Sequence, residues 1–276
     1  LDKAGNNARR EFYVNVAGNQ IEKFGCSLEA RYLQIFKGDE IEFPEDGYQG
    51  EDIKDLAKEY ADLNGDSLVN VSAEERKKAL VDYALPKNIK KMQADMEKYK
   101  IFYDKWFFES ELHKSGAVKA VVDLLTKKGL TYEKDGAVWY KNKEVLTQKL
   151  LKEGKSQKYI DNLELKDDVL IRQNGNPTYF TADIAYHKNK FDRGFTTLID
   201  VWGADHHGHV MRMKGAMDAI GYDGDKLNVV LMQLVKLVKD GELVRMSKRT
   251  GKAIQLGDLL DDVRGDRGRC LGHAIG

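Results

Sequence analysis

The chain has 276 residues and carries 45 basic and 45 acidic side chains, so its formal net charge is zero. With 42% hydrophobic residues, this composition predicts a well-solvated protein with a sizeable apolar core. The longest apolar run, residues 228–238, is too short to span a bilayer, and no basic start precedes an apolar stretch as in a signal peptide. Cys26 and Cys270 lie far apart without metal-ligand spacing, which favours free thiols in a reducing cytoplasm.

A helix is predicted for residues 51–63, where apolar side chains recur on one helical face: Ile53, Leu56, Tyr60 and Leu63. The helical pattern resumes from residue 87 to residue 129 in two stripes. The first stripe consists of Tyr99, Phe102 and Trp106, and the second of Val118, Val121, Val122 and Leu125. Both stripes are interpreted as core, and Gly129 is expected to cap the second helix.

The next segment, "LTYEKDGAVWYK" at residues 130–141, predicts a β-hairpin. Asp135 and Gly136 supply the residue pair that a two-residue hairpin turn prefers. Residues 142–168 are rich in lysine and other polar residues, so we expect an exposed insertion or loop there.

The second half of the chain predicts a β-α-β unit. Residues 196–203 are expected to form a buried strand, residues 206–220 a helix that ends at Gly221, and residues 227–237 a second buried strand. The apolar face of the helix consists of Val210, Met213, Met217 and Ile220. This order is typical of a parallel sheet, in which ligands bind beyond the carboxyl ends of the strands. The polar stretches "GADHHGH" and "MSKR" follow the two strands.

The stretch "GELVRMSKRTGKAI", residues 241–254, gathers four cations and two hydroxyls beside the flexible Gly251. The cations are Arg245, Lys248, Arg249 and Lys252, and the hydroxyls are those of Ser247 and Thr250. One interpretation is a solvated loop. The other is a mobile cradle for phosphates.

The stretch "DHHGH" brings together Asp205, His206, His207 and His209. A metal site would need three of these side chains to coordinate one ion. Their positions in the sequence spread them widely around the first turn of the predicted helix. No second histidine–carboxylate cluster supplies the missing ligands. Donors and acceptors that face a nucleotide at a helix N-terminus suit these residues better, so no protein-bound metal is expected.

Four long segments resemble the catalytic domain of the bacterial-type arginyl-tRNA synthetases, a class I family. The segments at 179–222 and 232–263 contain "YFTAD", "WGADHHGH" and "MSKR", and those at 10–34 and 43–53 begin with "REFYVNVAGNQ" and "FPEDGYQG". They cover nearly all of residues 1–263 in the order of the family, and the match is weakest at 142–168. The resemblance implies a Rossmann-like α/β fold, a parallel sheet with flanking helices, that carries an α-rich connective insertion.

The resemblance also identifies "RMSKR" as the family's "KMSKS" loop, with Arg245 in place of the usual leading lysine. It implies that Lys248 holds the ATP triphosphate and the charge that develops on pyrophosphate, with Ser247 and Arg249 as further catalytic residues. Met246 belongs to the implied ATP-binding set. Such a transfer needs no protein nucleophile, only positioning and cations on the transition-state oxygens.

By the same resemblance, Tyr179, Asp183 and His206 bind arginine, and Gly203, Asp205 and His206 bind ATP together with the loop residues. A guanidinium group favours a planar carboxylate that accepts two hydrogen bonds, as Asp183 would. The alternative from the residues alone is that Asp183 only caps a helix that starts at "IAYH". Val16 departs from the family, which usually has an acidic residue there.

In the family, the "HIGH" element lies before the position that matches Leu1, so it is expected to fall outside this chain. The anticodon-binding domain of the family is expected to fall outside it as well. "CLGHAIG" at 270–276 resembles the element faintly and would require a permuted order. The alternative is that Asp266 and Arg269 in "GDRGRC" are a degenerate continuation of the family pattern. The chain by itself is expected not to activate arginine.

These observations predict four segments. Residues 1–50 form the N-terminal part of the catalytic domain, 51–170 the mainly helical insertion with a small hairpin, 171–263 the second half of the catalytic domain, and 264–276 a degenerate tail. The implied activity is the ATP-dependent joining of arginine to the 3′-end of tRNA(Arg) by a cytoplasmic monomer, with Mg²⁺ accompanying ATP. The alternatives are an inactive truncated paralogue that binds nucleotide or tRNA, and a metal-dependent hydrolase built on "DHHGH".

Overall fold

The structure is a computed structural model that describes residues 1–15, 18–239, 242–243, 256–257 and 259. The chain divides into two compact units. The first comprises Leu1–Trp106 with Leu237–Gly276, and the second is Phe107–Lys236. None of the helices in the described part of the chain is long and apolar enough to cross a membrane.

The first unit is built on three helices, α1 (Asn19–Lys37), α2 (Glu51–Asn64) and α3 (Ala73–Lys98). Strand β1 (Glu11–Val14) pairs with β2 (Lys105–Phe108), and the boundary between the units falls within β2. The helices enclose one apolar cluster, whose members include Phe24, Leu28, Tyr32, Ile53, Leu56, Ala57, Leu80 and Ala84. The predicted helix at 51–63 is therefore confirmed as α2.

One buried cation fixes the turn that leads into α3. Arg76 is 8% exposed, and its guanidinium donates hydrogen bonds to the backbone carbonyls of Leu68, Val69 and Val71. It also pairs with Glu29 at 2.7 Å between Nη1 and Oε1. Four of the five guanidinium N–H donors are thus used within the protein, which offsets the cost of removing a charge from water.

The predicted stripe of Tyr99, Phe102 and Trp106 is wrong. Helix α3 ends at Lys98, Tyr99 is its C-cap, and Trp106 lies on β2. Phe102 is 56% exposed in the loop between them. The three residues have helical spacing, but the backbone N–H groups of Asp104 and Lys105 donate to the carbonyl of Arg10, which commits this segment to a strand.

The second unit contains six helices and five strands that lie wholly within it. The helices are α4 (Glu109–Lys114), α5 (Ala117–Lys127), α6 (Asn142–Lys152), α7 (Gln157–Asp161), α8 (Tyr179–Asp192) and α9 (His207–Ile220). The strands are β3 (Thr131–Lys134), β4 (Ala137–Tyr140), β5 (Asp168–Ile171), β6 (Leu198–Gly203) and β7 (Leu227–Met232). Two further short strands, β8 (Val238–Lys239) and β9 (Glu242–Leu243), pair in the first unit.

The hairpin and the second helical stripe are confirmed. Strands β3 and β4 pair antiparallel, and Asp135 and Gly136 adopt φ angles of 53° and 73° in the turn between them. Positive φ at both positions is what the turn requires of its two central residues. Helix α5 buries Val118, Val121 and Leu125, and Gly129 follows it with a φ of 71°.

The loop alternative for residues 142–168 is wrong, because most of them belong to α6 and α7. Leu146, Leu150 and Ile160 are buried, so the segment is not exposed throughout. Apolar residues four positions apart share one face of a helix, so abundant lysines on the other faces do not prevent packing. At Gly215 of α9 a Cβ atom would lie 2.6 Å from Leu146 Cδ2, which shows how closely α6 and α9 approach.

The β-α-β unit is confirmed. Strands β6 and β7 pair in parallel from Leu198 opposite Leu227 to Gly203 opposite Met232, and α9 connects them. Helix α9 ends at Ile220, and Gly221 follows with a φ of 103°. The fold is thus mixed α/β with a parallel strand pair.

The prediction that both strands are fully buried is wrong. Exposure alternates along them, and Val201 and Met232 are 67% and 53% exposed. The second strand also ends earlier than predicted, at Met232, and Leu234 beyond it is 87% exposed. The apolar run in the sequence therefore exceeds the length that the β6–β7 pair accommodates.

Candidate functional site

A polar cleft opens beyond the carboxyl end of β6, between α8 and α9. Its volume is about 490 Å³. Helix α8, α9 and the short 3₁₀ turn Ala204–His206 between β6 and α9 supply its walls. The lining residues are Tyr179, Phe180, Asp183, Asp205, His206, Gly208, His209 and Arg212.

The N-terminus of α8 places Tyr179 and Asp183 on the same wall. Thr178 is the N-cap, and its hydroxyl accepts a hydrogen bond from the backbone N–H of Thr181. The helix therefore begins at Tyr179, and Asp183 lies one turn inside it, on the same face. The alternative that Asp183 caps a helix is wrong, because the N-cap is Thr178, five residues earlier than "IAYH" suggests.

The carboxylate of Asp183 reaches α9. Its Oδ2 lies 2.9 Å from Nε2 of His209, whose side chain is 17% exposed. The ring of Phe180 meets the His209 ring edge to face at 5.6 Å, and the Trp202 ring lies 5.2 Å from it on the strand side. His209 is thus held by aromatic rings from two elements, and it in turn orients Asp183.

Arg212, one turn after His209 on α9, closes the other side of the cleft. Its guanidinium makes two hydrogen bonds to Asp168 of β5, of which the Nε–Oδ2 bond is 3.1 Å long, and lies 4.7 Å above the Phe180 ring. Burial raises the pKa of Asp168, and the charge of Arg212 opposes this shift only in part. The cleft therefore already contains one guanidinium held by a carboxylate and an aromatic face.

The segment that follows β6 presents an open set of polar groups. A Cβ atom at Gly203 would lie 2.4 Å from Oδ1 of Asp205, so the Asp205 carboxylate lies directly against the backbone of Gly203. The side chains of Asp205 and His206 are 83% and 61% exposed, and 3.8 Å separates Oδ2 of Asp205 from Nε2 of His206. Both side chains are accessible to a ligand that enters the cleft.

Behind the cleft, a buried charged cluster joins α8 to β6. His187, 2% exposed, directs Nδ1 at the backbone carbonyl of Asp183, 2.7 Å away, and Nε2 at Oδ2 of Asp200. Lys190 donates to Oδ1 of Asp200 at 2.8 Å. Burial by itself would raise the pKa of Asp200, but the hydrogen bond from His187 and the charges of His187 and Lys190 outweigh it and hold this pKa well below its usual range.

The structure thus brings most of the predicted binding residues together. Tyr179, Asp183, Asp205 and His206 line one cleft, with Gly203 at the start of the turn that carries the last two. The predicted loop residues Met246, Ser247, Lys248 and Arg249 lie outside the described residues, as does Val16. Within the described part of the chain, no three His, Cys, Asp or Glu side chains are grouped so as to hold a metal ion.

Sequence reasoning did not assign Phe180, His209 or Arg212 to the site. The structure places His209 in the cleft, whereas His207 is exposed and does not line it. The available signal was spacing, because His209 and Arg212 lie three residues apart and hence on one helical face. Their partners Asp183 and Asp168 lie 26 and 44 residues away in the sequence.

A parallel β-α-β unit with a polar cleft beyond the carboxyl end of its first strand is typical of the open α/β proteins that bind ligands at this edge. The chain is a homologue of the arginine–tRNA ligases. It is 54% identical over 268 residues to the arginine–tRNA ligase of Ruminiclostridium cellulolyticum, covering 96% of this chain and 44% of the relative. It is 56% identical over 270 residues to that of Caldanaerobacter subterraneus, covering 98% and 45%. No family model matches the chain.

Solved structures agree with this relationship. A Campylobacter jejuni structure assigned as an arginyl-tRNA synthetase superposes with a TM-score of 0.75 at 36% identity, covering 93% of this chain and 52% of that one. The Thermus thermophilus arginyl-tRNA synthetase shares the fold, with a TM-score of 0.60 at 18% identity over 96% of this chain and 48% of its own. The chain thus spans less than half the length of the two curated relatives.

Proposed function

We propose that this chain is the greater part of the catalytic domain of an arginine–tRNA ligase, a Rossmann-like α/β domain of the class I synthetases with a connective insertion. In this proposal, residues 1–50 and 171–263 belong to the catalytic domain, 51–170 to the insertion and 264–276 to a degenerate tail. The homology to arginine–tRNA ligases over 96–98% of the chain supports the assignment. The parallel β6–β7 pair with its cleft supports the fold class.

The observation that carries the proposed activity is the pairing of Tyr179 with Asp183 on one wall of the cleft. The Asp183 carboxylate is 35% exposed and has two oxygens, of which Oδ2 faces His209. An ionised carboxylate accepts about four hydrogen bonds, so a guanidinium group can bind Asp183 without displacing His209. Tyr179 is 52% exposed at the mouth of the cleft, where its ring face or hydroxyl can complete the contact.

The second substrate is proposed to bind beside the first, at the end of β6. Gly203 admits a close approach of the ribose or base of ATP, and Asp205 and His206 offer an acceptor and a donor to its hydroxyl groups. The 490 Å³ cleft is large enough for a substrate-sized ligand. His206 lines the same space as Asp183, and so it faces both substrates in this proposal.

The proposed chemistry is attack of the arginine carboxylate on the α-phosphorus of ATP, which breaks the bond to pyrophosphate and forms arginyl-adenylate. The 3′-terminal hydroxyl of tRNA(Arg) then attacks the arginyl carbonyl and releases AMP. Lys248, supported by Ser247, Arg249 and Met246 of the same loop, is proposed to stabilise the charge on the leaving pyrophosphate. Mg²⁺ is proposed to arrive bound to the phosphates of ATP, and the ligase is proposed to act as a cytoplasmic monomer.

Amino-acid-dependent exchange of pyrophosphate into ATP tests the proposal. The measurement uses a full-length ligase that contains this chain, with tRNA(Arg) present, and compares arginine with lysine and citrulline. Citrulline matches arginine in shape but has a neutral urea group. We expect exchange with arginine only, because an uncharged group does not satisfy Asp183. Exchange with none of the three would favour an inactive protein that binds nucleotide or tRNA, and equal exchange with citrulline would refute the guanidinium site.

A further inference from the structure

A buried histidine links the two halves of the proposed site. His187 lies on α8, one turn beyond Asp183, and faces away from the cleft towards β6. Its ring is 2% exposed, and the Trp202 ring meets it edge to face at 6.3 Å. His187 is not a lining residue of the cleft, so a direct contact with substrate is not its role.

Both ring nitrogens of His187 face groups that only accept hydrogen bonds. Nδ1 lies 2.7 Å from the backbone oxygen of Asp183, and Nε2 faces Oδ2 of Asp200. A carbonyl oxygen has no proton to give, and neither has an ionised carboxylate. The ammonium group of Lys190 donates a hydrogen bond to Oδ1 of Asp200, which favours the ionised carboxylate. Both contacts are therefore hydrogen bonds only if both nitrogens of His187 carry a proton.

The surroundings of the cluster stabilise the negative charge of Asp200. Lys190 lies 2.8 Å from the second oxygen of Asp200, so one carboxylate serves two cations. The Lys190 ammonium group also lies 4.2 Å from the centre of the Tyr186 ring, which stabilises it through a cation–π interaction. A buried charge persists only where partners on several sides hold it, and these partners come from both α8 and β6.

The Nδ1 contact lies within α8, which carries the proposed arginine seat (Tyr179 and Asp183), and the Nε2 contact joins α8 to β6, which leads to the proposed nucleotide seat (Gly203, Asp205 and His206). The carbonyl of Asp183 belongs to the residue whose carboxylate receives the guanidinium. Asp200 lies on β6, three residues before Gly203, where the segment for ATP begins. Only this short length of strand separates the His187 contact from the nucleotide segment, so the contact sets the distance between the two seats.

We propose that His187, donating from both ring nitrogens, is a positioning residue that fixes the arginine seat on α8 relative to the nucleotide seat at the end of β6. The inference rests on the proposed function. Reacting groups must be held within about 0.5 Å of their productive positions. A misplacement of about 1 Å costs on the order of 10²-fold in rate. Releasing either contact therefore slows adenylate formation, even though His187 touches neither substrate.

Two substitutions separate the two hydrogen bonds. In His187→Asn the amide nitrogen lies near the position of Nδ1, so the contact with the Asp183 carbonyl is kept and the bridge to Asp200 is lost. In His187→Gln the amide nitrogen lies near the position of Nε2, so the bridge is kept and the contact with Asp183 is lost. His113→Gln is the control, because His113 lies on α4 with a 35% exposed side chain and contacts Glu109 rather than the cleft.

Steady-state pyrophosphate exchange by the full-length ligase that contains this chain is the first test, run well below the melting temperature of each variant. We expect both His187 variants to lower kcat at least tenfold and to raise the KM for arginine about fivefold, with the KM for ATP unchanged within twofold. His113→Gln is expected to match the parent. Variants that melt earlier but keep both kcat and the arginine KM would show a purely structural role and overturn the proposal.

Nitrogen NMR of the histidine rings in the 276-residue chain is the second test and does not depend on activity. At neutral pH we expect both nitrogens of His187 to show the shifts of protonated nitrogens, assigned by their loss in His187→Gln. A neutral ring with one bare nitrogen would overturn the proposal. If the parent ligase fails to activate arginine while the ring is doubly protonated, the proposed function fails and the bridge itself stands.

Discussion

Nε2 of His209 lies 2.9 Å from Oδ2 of Asp183, and this contact ties α9 to the wall of the cleft that carries the proposed arginine seat. It leaves Asp183 with a defined orientation before any substrate binds. Preorganised groups bind a ligand more tightly than mobile ones, since less conformational freedom is lost on binding. The contact therefore presents the other oxygen of Asp183 to the cleft in a fixed orientation.

The loop lysine provides the sharpest prediction for catalysis. Lys248→Ala in a full-length ligase that contains this chain is expected to lower the rate of adenylate formation on the order of 10²–10³-fold, because one preorganised charge on such a transition state contributes that much. The affinity for arginine should change little, since Lys248 is proposed to act on the phosphates. Pyrophosphate exchange and calorimetry measure the two effects, and near-normal turnover would remove this lysine from the mechanism.

The buried cluster behind the cleft provides a prediction for stability. Asp200→Asn leaves His187 and Lys190 buried without their carboxylate, which is expected to lower the free energy of unfolding by about 3–5 kcal/mol. Asp192→Asn, at the more exposed end of α8, serves as the control and should cost less. Urea unfolding at neutral pH measures both variants.

The pH dependence of that difference follows from the direction of the shift. The pKa of Asp200 is lower in the folded protein than in the unfolded chain, where it is about 3.9. Its stabilising contribution is therefore complete above that value and is lost as the pH falls towards the folded pKa. Below about pH 4 the gap in unfolding free energy between wild type and Asp200→Asn should therefore shrink as the pH falls. A gap that grows as the pH falls below about 4 would contradict this account.

The first unit provides an independent test. Arg76→Leu leaves three buried carbonyl groups and Glu29 without their donor, and we expect a loss of about 3–5 kcal/mol in unfolding free energy. Lys78→Leu on the same helix removes an exposed ion pair with Asp82 and should cost less than about 1 kcal/mol. Adding Glu29→Gln to Arg76→Leu should recover part of the loss. Equal effects of the two single variants would contradict the role of Arg76.

Where sequence patterns predicted the fold correctly, the signal was local. The Asp135–Gly136 turn, the helix 51–63 and the β-α-β unit each depend on residues close together in the chain. The wrong predictions depended on distant partners. Tyr99, Phe102 and Trp106 have helical spacing, but hydrogen bonds to Arg10, more than 90 residues away in the sequence, place Trp106 on a strand. The many lysines of α6 led to the prediction of an exposed segment, although Leu146 and Leu150 are buried where α6 packs against α9.

The candidate site shows the same division. Tyr179, Asp183, Asp205 and His206 were identified from the sequence, and the structure places them around one cleft. The partner of Asp183, the ion pair between Arg212 and Asp168, and the His187–Asp200 contact were not predicted. Each of these joins two elements whose separation in space is set by the packing of α8, α9, β5 and β6, which no short-range pattern encodes.

The central claim is that Asp183 receives a guanidinium group. Calorimetric titration of arginine and of ATP into a full-length ligase that contains this chain tests it most directly, with Asp183→Asn compared with the parent and with Asp123→Asn. Asp123 is a suitable control because it is an exposed carboxylate on α5 that pairs only with Lys119 among the described contacts.

Asparagine retains the shape of Asp183 and an oxygen for His209, but it presents an amide to the guanidinium. Losing a charged hydrogen-bond partner costs about 1.5–3 kcal/mol, so arginine should bind Asp183→Asn at least about tenfold more weakly. ATP should bind all three proteins equally, and Asp123→Asn should bind arginine like the parent. Unchanged arginine affinity in Asp183→Asn would contradict the account.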